Sequence, residues 1–577
     1  MTRSERLPTR RILFGLALVV SLVTLVVGAS HADTTEEETG GYLITGHLVD
    51  AQGQPIEGAM IEAHIPDEAE PVAEAESQDD GYWTLLLPEI PNEESLTVSI
   101  ERPHFTTQVL NLGPTEFTIL EAEGVYSAGE LTLPRKITPG FWAATIIFVA
   151  VLMIIAFEKL HSTTAALAGA SAIFLVTFVA VAFFPGLYIF TFEQALTYMN
   201  WEVIFLVMAM MIIIAIVERT GIFQWMAFQA YRLSRGHSWL LVIILMALTA
   251  VASALLDNFT TMLLMAPISL QIALALGISP LALIIPEVMA SNVGGISTLI
   301  GTPTNILIGA YAGIGFSDFL VNQTVGVVVA LVVMAGYVLF HYRGEWRKQS
   351  GGISPKLYAM LEENARIENP EALWKAGVVF LLVIVGFVVG EQFHIVPAVP
   401  ALIGATALLI WLKPDVHEMI TAVDWTTLVF FMALFVVVGA VQEVGLISFI
   451  AEGMSKLVGD SLVLAMFTIV FGVGTLSIVI ANIPLAASML PVVEFLTGSI
   501  PGASSQVLYY SLSMGAAMGG NGTLVGAEAN LVTAGITEQA GSPISFVEFL
   551  KVGLPITYLT LAVGFLWLLF RFVVLGS

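Results

Sequence analysis

The chain has 577 residues, 57% of them hydrophobic and only 12% charged, with a mean hydropathy of +0.87. So little polar surface excludes a soluble globule, and the absence of cysteine excludes disulfides, thiolate metal sites and thiol catalysis. The net charge of −25 is concentrated: 22 of the 46 acids fall in 33–135, beside only Arg102 and Arg135, which argues against nucleic acid as a partner.

Residues 1–32 have the layout of a targeting element. Arg3, Arg6, Arg10 and Arg11 precede an apolar run at 12–27, and Ser30, His31 and Ala32 follow at the spacing of a cleavage site. A cleaved signal peptide and a retained first transmembrane helix both fit, and both send residue 33 onward out of the cytoplasm. Residues 33–136 read as an extracytoplasmic β-sandwich. YLITGHLVD, GAMIEAHI, YWTLLL, LTVSIE and TQVLNL alternate as strands, with turns at QGQPIEG and DDGYW. The run GHLVDAQGQPIEGA with DGYW resembles carboxypeptidase-regulatory and transthyretin-like domains. His47, His64 and His104 match no metal-ligand spacing and read as surface or core residues. The partner of this domain is left open.

From 137 onward, apolar stretches of bilayer-spanning length, roughly 17–25 residues, begin near Phe141, Thr164, Val203, Trp239, Leu281, Thr324, Trp374, Ala398, Leu428, Leu462, Leu508 and Leu550. This predicts a polytopic α-helical protein of the cell or inner membrane. The stretches repeat. WEVIFLVMAMMIIIAIVERTGIF (201–223) aligns without gaps to WTTLVFFMALFVVVGAVQEVGLI (425–447). The same offset of 224 sets Asn258 on Asn482, Met265 on Met489 and Pro267 on Pro491, and an offset of 225 sets TLIGTPTN (298–305) on TLVGAEAN (523–530). Such duplication marks transporters. Arg219, Arg232 and Arg235 follow the first copy of the aligned segment, whereas Glu443, Glu452, Lys456 and Asp460 follow the second. Basic loops are cytoplasmic, so the two equivalent loops lie on opposite sides. The sequence predicts repeat 1 over 137–342, a cytoplasmic connector over 343–372 with Arg343, Arg347, Lys348, Lys356 and Arg366, and an inverted repeat 2 over 373–577.

Residues 291–309, SNVGGISTLIGTPTNILIG, put four glycines, one proline and seven Ser, Thr or Asn side chains inside an apolar tract. Irregular backbone survives at membrane depth only where protein or a cavity surrounds it. Gly294, Gly295, Gly301, Thr302 and Pro303 are therefore expected to break a helix near mid-membrane, and Gly519, Gly520, Asn521, Gly522 and Gly526 to do so in the second half. Close helix packing is the bland alternative, but packing alone does not call for Asn305 and Asn530 at matching positions. LLDNFTTMLLMAP (255–267) and VIANIPLAASMLP (479–491) predict re-entrant hairpins with Asn258 and Asn482 at their tips. An amide there offers an oxygen to a cation and N–H donors to an anion. Asp257 is an intramembrane carboxylate, suited to ligate a cation or carry a proton. Glu287 and Glu528 are further possible coupling acids.

LLDNFTTMLLMAP, EVMASNVGGISTLIGTPTN and GGNGTLVGAEANLVTAGI resemble the ion transporter superfamily over roughly 140–577. The closest likeness is to citrate-transporter-like permeases of the arsenite permease, NhaD sodium–proton antiporter and melanosomal P-protein branch. The resemblance implies two inverted five-helix repeats with re-entrant hairpins and discontinuous helices, a homodimer, and elevator-type motion. In the sodium–dicarboxylate branch a Ser-Asn-Thr at each hairpin tip binds sodium and carboxylate. Only the Asn carries over here, and Asp257 would repel an anion. The expected function is ion-coupled secondary transport of a small ion or solute, with Na⁺ or H⁺ as coupling ion and no other cofactor. Asp257, Asn258, Thr260, Thr261, Asn292, Gly294, Gly295, Gly301, Thr302, Thr304 and Asn305 would form one half of the site. Asn482, Asn521, Gly522, Thr523, Gly526 and Asn530 would form the other, with Na⁺ near Asp257, Asn258 and Asn482. Na⁺/H⁺ antiport and anion symport compete within this reading. A sensor or envelope scaffold on a degenerate transporter core is the alternative from another class. No nucleophile–base pair or phosphate loop supports an enzyme.

Overall fold

The computed structural model describes residues 41–346 and 355–576, apart from 52, 66–69, 91–94 and 158 and the side chains of 355–357, 360 and 364. The targeting element at 1–32, Arg347, Lys348 and the Lys356 side chain lie outside the described residues. By its internal contacts the chain divides between Lys136 and Ile137 into two units.

In the first unit the alternating segments form strands β1 (Tyr42–Val49), β2 (Met60–His64), β3 (Ala73–Glu76), β4 (Tyr82–Leu87), β5 (Leu96–Glu101), β6 (Gln108–Leu112) and β7 (Val125–Thr132). They make two sheets, ordered β4-β1-β7 and β3-β2-β5-β6. The period-two pattern decides which side chains turn inward. Trp83, Leu85 and Leu87 of β4 meet Ile44 and Leu48 of β1 and Ile61, Val98 and Ile100 of the other sheet in one core. Gly46 is needed there, because a Cβ would lie 2.7 Å from the Trp83 indole. Three elements escape the sequence reading: β3, β7 and helix α1 (Pro114–Glu123). Both strands are sheet edges with no buried residue, so they lack the apolar alternation that announces a strand. Helix α1 opens with the Glu116 carboxylate accepting from the Gly113 N–H at 2.8 Å and closes at left-handed Gly124.

The second unit runs the same series of helices twice. The first pass is α2 (Pro139–Ala156), α3 (Ser162–Phe178), α4 (Phe192–Thr197), α5 (Trp201–Glu218), α6 (Ile222–Leu233), α7 (Ser238–Leu255), α8 (Asn258–Leu276), α9 (Leu281–Gly294), α10 (Pro303–Ala312) and α11 (Phe316–His341). After α12 (Arg343–Trp346) and α13 (Pro355–Asn364) the series resumes with α14 (Pro370–Gly390), α15 (Ala398–Leu412), α16 (Val416–Thr421), α17 (Trp425–Glu443) and α18 (Leu446–Val458). Next comes α19 (Leu462–Phe467), which passes through a π-helical stretch, Thr468–Val473, into α20 (Gly474–Leu476). The pass ends with α21 (Asn482–Ser499), α22 (Val507–Gly519), α23 (Glu528–Gln539) and α24 (Phe546–Leu568).

Packing between the passes is reciprocal. Helix α3 lies on α17 while its counterpart α15 lies on α5, and α8 lies on α23 while its counterpart α21 lies on α10. That exchange is the mark of pseudo-symmetry. Among the described residues, nine helices are long and apolar enough to cross a membrane. The unit wears its apolar side chains outward on α2, α11, α14 and α15, as with Ile146, Val332, Leu381 and Ile403, which suits lipid rather than water. The protein is an integral, multi-pass membrane protein, and its β unit is extracytoplasmic. Helices α9 from Ala282 and α22 throughout are buried along every residue, so the centre of the unit is protein on all sides. The breaks occur there.

Candidate functional site

Helix α9 stops at Gly294, makes a short 3₁₀ turn at Gly295–Ser297, runs extended at Thr298 (φ −135°, ψ 162°) and restarts at Pro303. In the second pass α22 stops at Gly519, turns at Gly520–Gly522, runs extended at Thr523 (φ −140°, ψ 170°) and restarts at Glu528. Glycine is required by contact. A Cβ on Gly301 would sit 2.3 Å from the Gly295 carbonyl oxygen, and one on Gly526 would sit 2.6 Å from that of Gly520. Gly294 abuts Ala250, and Gly519 abuts the equivalent Gly474.

The polar groups freed by each break are met by the same side chains twice. Ser253 Oγ donates to the Ser291 carbonyl at 2.8 Å, and Ser477 Oγ to that of Ala516 at 2.7 Å. Thr298 Oγ1 donates to the Ala254 carbonyl, and Thr523 Oγ1 to that of Ile478. Asn305 Nδ2 donates to the Thr298 carbonyl at 2.8 Å, and Asn530 Nδ2 to that of Thr523 at 2.9 Å. Asn305 Oδ1 also accepts from Ser513 Oγ at 2.6 Å. Both amides are thus engaged in holding the irregular backbone, as burial in an apolar medium demands.

A chain of amides joins the two passes. Asn258 Nδ2 donates to Asn292 Oδ1 at 2.8 Å, and Asn292 Nδ2 donates to Asn521 Oδ1 at 2.8 Å and Asn530 Oδ1 at 3.0 Å. Asn521 Nδ2 reaches the Met289 carbonyl at 3.3 Å.

Beside this chain lies a cavity of about 40 Å³, with Asp257, Asn258, Asp424, Thr427, Asn482 and Glu528 as its polar wall and residues of α5 among its apolar wall. None of its lining residues is basic. Its volume suits a few waters or one small ion. Asp257 precedes α8 and caps it, its Oδ1 accepting from the Thr260 N–H at 2.8 Å. Asn482 is only 5% exposed and lines this cavity, and among the described residues its side-chain amide forms no hydrogen bond to another protein group. Two wider recesses flank the unit's interior. One of about 920 Å³ is bounded by Pro267 and Gln271 of α8 and by Arg366 and Glu368; one of about 470 Å³ is bounded by Pro491 of α21, Tyr311 and Gln442.

Of the residues expected from the sequence, Asp257, Asn258, Asn482 and Glu528 come together at the cavity. Thr260 contributes its backbone N–H, and Thr302 Oγ1 caps α10 through the Asn305 N–H at 3.1 Å. Among the described residues, the hydroxyls of Thr261 and Thr304 are buried without partners. Gly522 packs on Ile478. Glu287 is fully buried in α9, away from the cavity wall, and Thr249 donates to its Oε1 at 2.9 Å. Asp424 and Thr427 are absent from the sequence reading. The available signal was an acid immediately before the apolar run of the second copy, VDWTT. Among the described residues, no three His, Cys, Asp or Glu side chains converge as a metal cluster.

The sequence signature of citrate transporters matches residues 152–515. An uncharacterized transporter of Mycobacterium tuberculosis (strain H37Rv) is 36% identical over 433 residues, which cover 75% of this chain and 99% of its own. The P protein of Homo sapiens is 32% identical over 509 residues, covering 75% of this chain and 60% of its own. The solved YdaH transporter of Alcanivorax borkumensis superposes with a TM-score of 0.47 at 14% identity, over 75% of this chain and 99% of its own.

Proposed function

We propose how this chain works from the premise that it belongs to the citrate transporter family, whose signature it carries across 152–515. It is a secondary active membrane transporter, and its work is transport rather than catalysis. Our reading is that it carries a small inorganic ion coupled to Na⁺ or H⁺, in the branch of the P protein, the arsenite permeases and the NhaD antiporters. The likeness to the P protein supports that branch. The observation that carries the substrate reading is the cavity itself. Both passes contribute to its wall, and its charges are carboxylates with no basic residue among the lining. A polyanion such as citrate would be repelled by that charge. Sodium–proton antiport is the second reading, favoured by the acids Asp257 and Glu528.

In this mechanism α7–α8 and α19–α21 are re-entrant hairpins, α9–α10 and α22–α23 are discontinuous helices, and the repeats 137–342 and 373–577 are inverted about a cytoplasmic connector, 343–372. The hairpins and broken helices move as one body against a frame that includes α5 and α17, carrying the site from one recess to the other. Asp257, Asn258 and Asn482 hold the coupling ion; Thr260, Thr261, Asn292 and the segments around Gly301 and Gly526 shape the pocket; Glu287 is a reserve coupling acid. The working form is a homodimer, and 33–136 is a β-sandwich for an extracytoplasmic partner. The experiment is ion-driven flux in proteoliposomes. Asp257→Asn should abolish coupled flux while insertion and assembly persist, and undiminished coupled flux in that variant would remove Asp257 from the mechanism.

A further inference from the structure

We propose that Asp424 is a third carboxylate of the transport site and makes it a site for one partly hydrated monovalent cation, shared between α17 and the hairpin and broken-helix body. The proposal rests on reading the cavity as the transport site.

Asp424 looks at first like a helix cap. Its Oδ1 accepts from the N–H groups of Thr426 at 3.0 Å and Thr427 at 3.2 Å, and its Oδ2 accepts from Thr427 Oγ1 at 2.5 Å. The equivalent residue of the first pass is Asn200, whose Oδ1 caps α5 through the Val203 N–H at 3.1 Å. Asn and Asp cap helices about equally well, so capping does not account for the charge.

The other two acids of the cavity break the repeat in the same way. Asp257 stands where the second pass has Ala481, and Glu528 stands where the first has Pro303. Three acids at unrelated positions of the repeat, none with an acidic counterpart, therefore meet at one small cavity.

An independent feature points to a ligand. The Asn482 amide, 5% exposed and without a protein partner among the described residues, lines the same space, whereas its counterpart Asn258 is engaged with Asn292. Every polar atom offered to the cavity by Asp257, Asp424, Thr427 and Glu528 is an oxygen, which selects a hard cation. Among the described residues the acids do not close into a compact metal-ligand cluster, so an ion held between them keeps part of its water in the room available. Helix α17 lies chiefly on α3, with α2 and α21 also against it, while α8 lies on α23, so the ion would be shared between α17 and the hairpin and broken-helix body.

The test is ²²Na⁺ binding to the purified full-length protein. Asp424→Asn restores the cap used by the first pass, so its apparent melting temperature should stay within about 2 °C of the parent, since a cap exchange of this kind is near neutral. Its Na⁺ affinity should fall at least tenfold, and Asp424→Ser, which caps by the same geometry, should behave alike. Unchanged Na⁺ affinity in both variants alongside loss in Asp257→Asn would leave Asp424 a cap, and would overturn the proposal while sparing the transport-site reading. Unchanged Na⁺ affinity in Asp257→Asn as well would overturn that reading. Absence of Na⁺ binding by the parent would overturn the cation class.

Discussion

The Asn305 amide donates to the carbonyls of Thr298 and Ile296 and accepts from Ser513, while the Asn482 amide faces the cavity without a protein partner among the described residues. The same side chain should therefore give opposite phenotypes. Asn305→Ala strands the carbonyls of Thr298 and Ile296 in a buried place, where each unpaired group costs about 1–3 kcal/mol, while Ser513 keeps Gln323 as a partner. We expect a stability loss of about 3 kcal/mol on that scale, read as a clear drop in apparent melting temperature in detergent. Asn482→Ala removes no bond, so its melting temperature should hold while ion-driven flux falls. Equal melting behaviour of the two variants would show that the division between holding and binding is wrong. That division is not legible in sequence. Both residues are polar outliers in apolar tracts, and the carbonyls that occupy Asn305 belong to residues seven and nine positions earlier, freed by a break whose path the sequence does not specify. Asp424 was hidden for a related reason, since an acid before a helix is the commonest of caps.

At the scale of the element, the breaks themselves were readable, because glycine, proline and hydroxyl residues at corresponding places in two apolar tracts have few other uses. What the sequence could not say is that the glycines serve contact between backbones. A Cβ on Gly301 would meet two carbonyl oxygens, of Gly295 at 2.3 Å and Ser253 at 2.8 Å, and neither belongs to a side chain that can swing away. Gly301→Ala should therefore push the two ends of the break apart and abolish flux, and Gly526→Ala, with contacts of 2.6 and 2.9 Å, should do the same. Gly336 on α11 has nothing within 4 Å of an added Cβ. Alanine there should be neutral, or stabilising by about 0.5–1 kcal/mol from helix propensity. Flux assays on the three variants check this, and wild-type flux in Gly301→Ala would mean the close approach is not needed. In the β unit the same limit appears in another form: β1, β2, β4, β5 and β6 announced themselves by alternation, while the edge strands β3 and β7, with no face fully buried, did not.

The whole membrane unit is one helical series used twice, and the offset of 224 residues carried most of that plan in the sequence. The reciprocal packing of α3 on α17 and α15 on α5 could not be read, because it depends on how two apolar surfaces choose each other and apolar surfaces look alike in a sequence. On our reading of the site, function then comes from where the copies differ. Repetition builds the two breaks and their hydrogen bonds, and three unrepeated acids give the space between them its charge. On the inverted-repeat reading proposed above, this becomes a carrier, since inversion would place equivalent surfaces on opposite sides of the membrane. Gln271 on α8 bounds the wider recess with Arg366 of the basic connector, and Gln442 at the end of α17 bounds the other. Lys and Arg favour the cytoplasmic side, so the first recess should open to the cytoplasm and the second away from it. The chain has no cysteine, and a single one introduced at either place is a unique label. A membrane-impermeant maleimide should modify Gln271→Cys only in inside-out vesicles and Gln442→Cys only in right-side-out ones. Labelling of both from one side would mean the copies run parallel, and a single pocket between them could then not be offered to each compartment in turn.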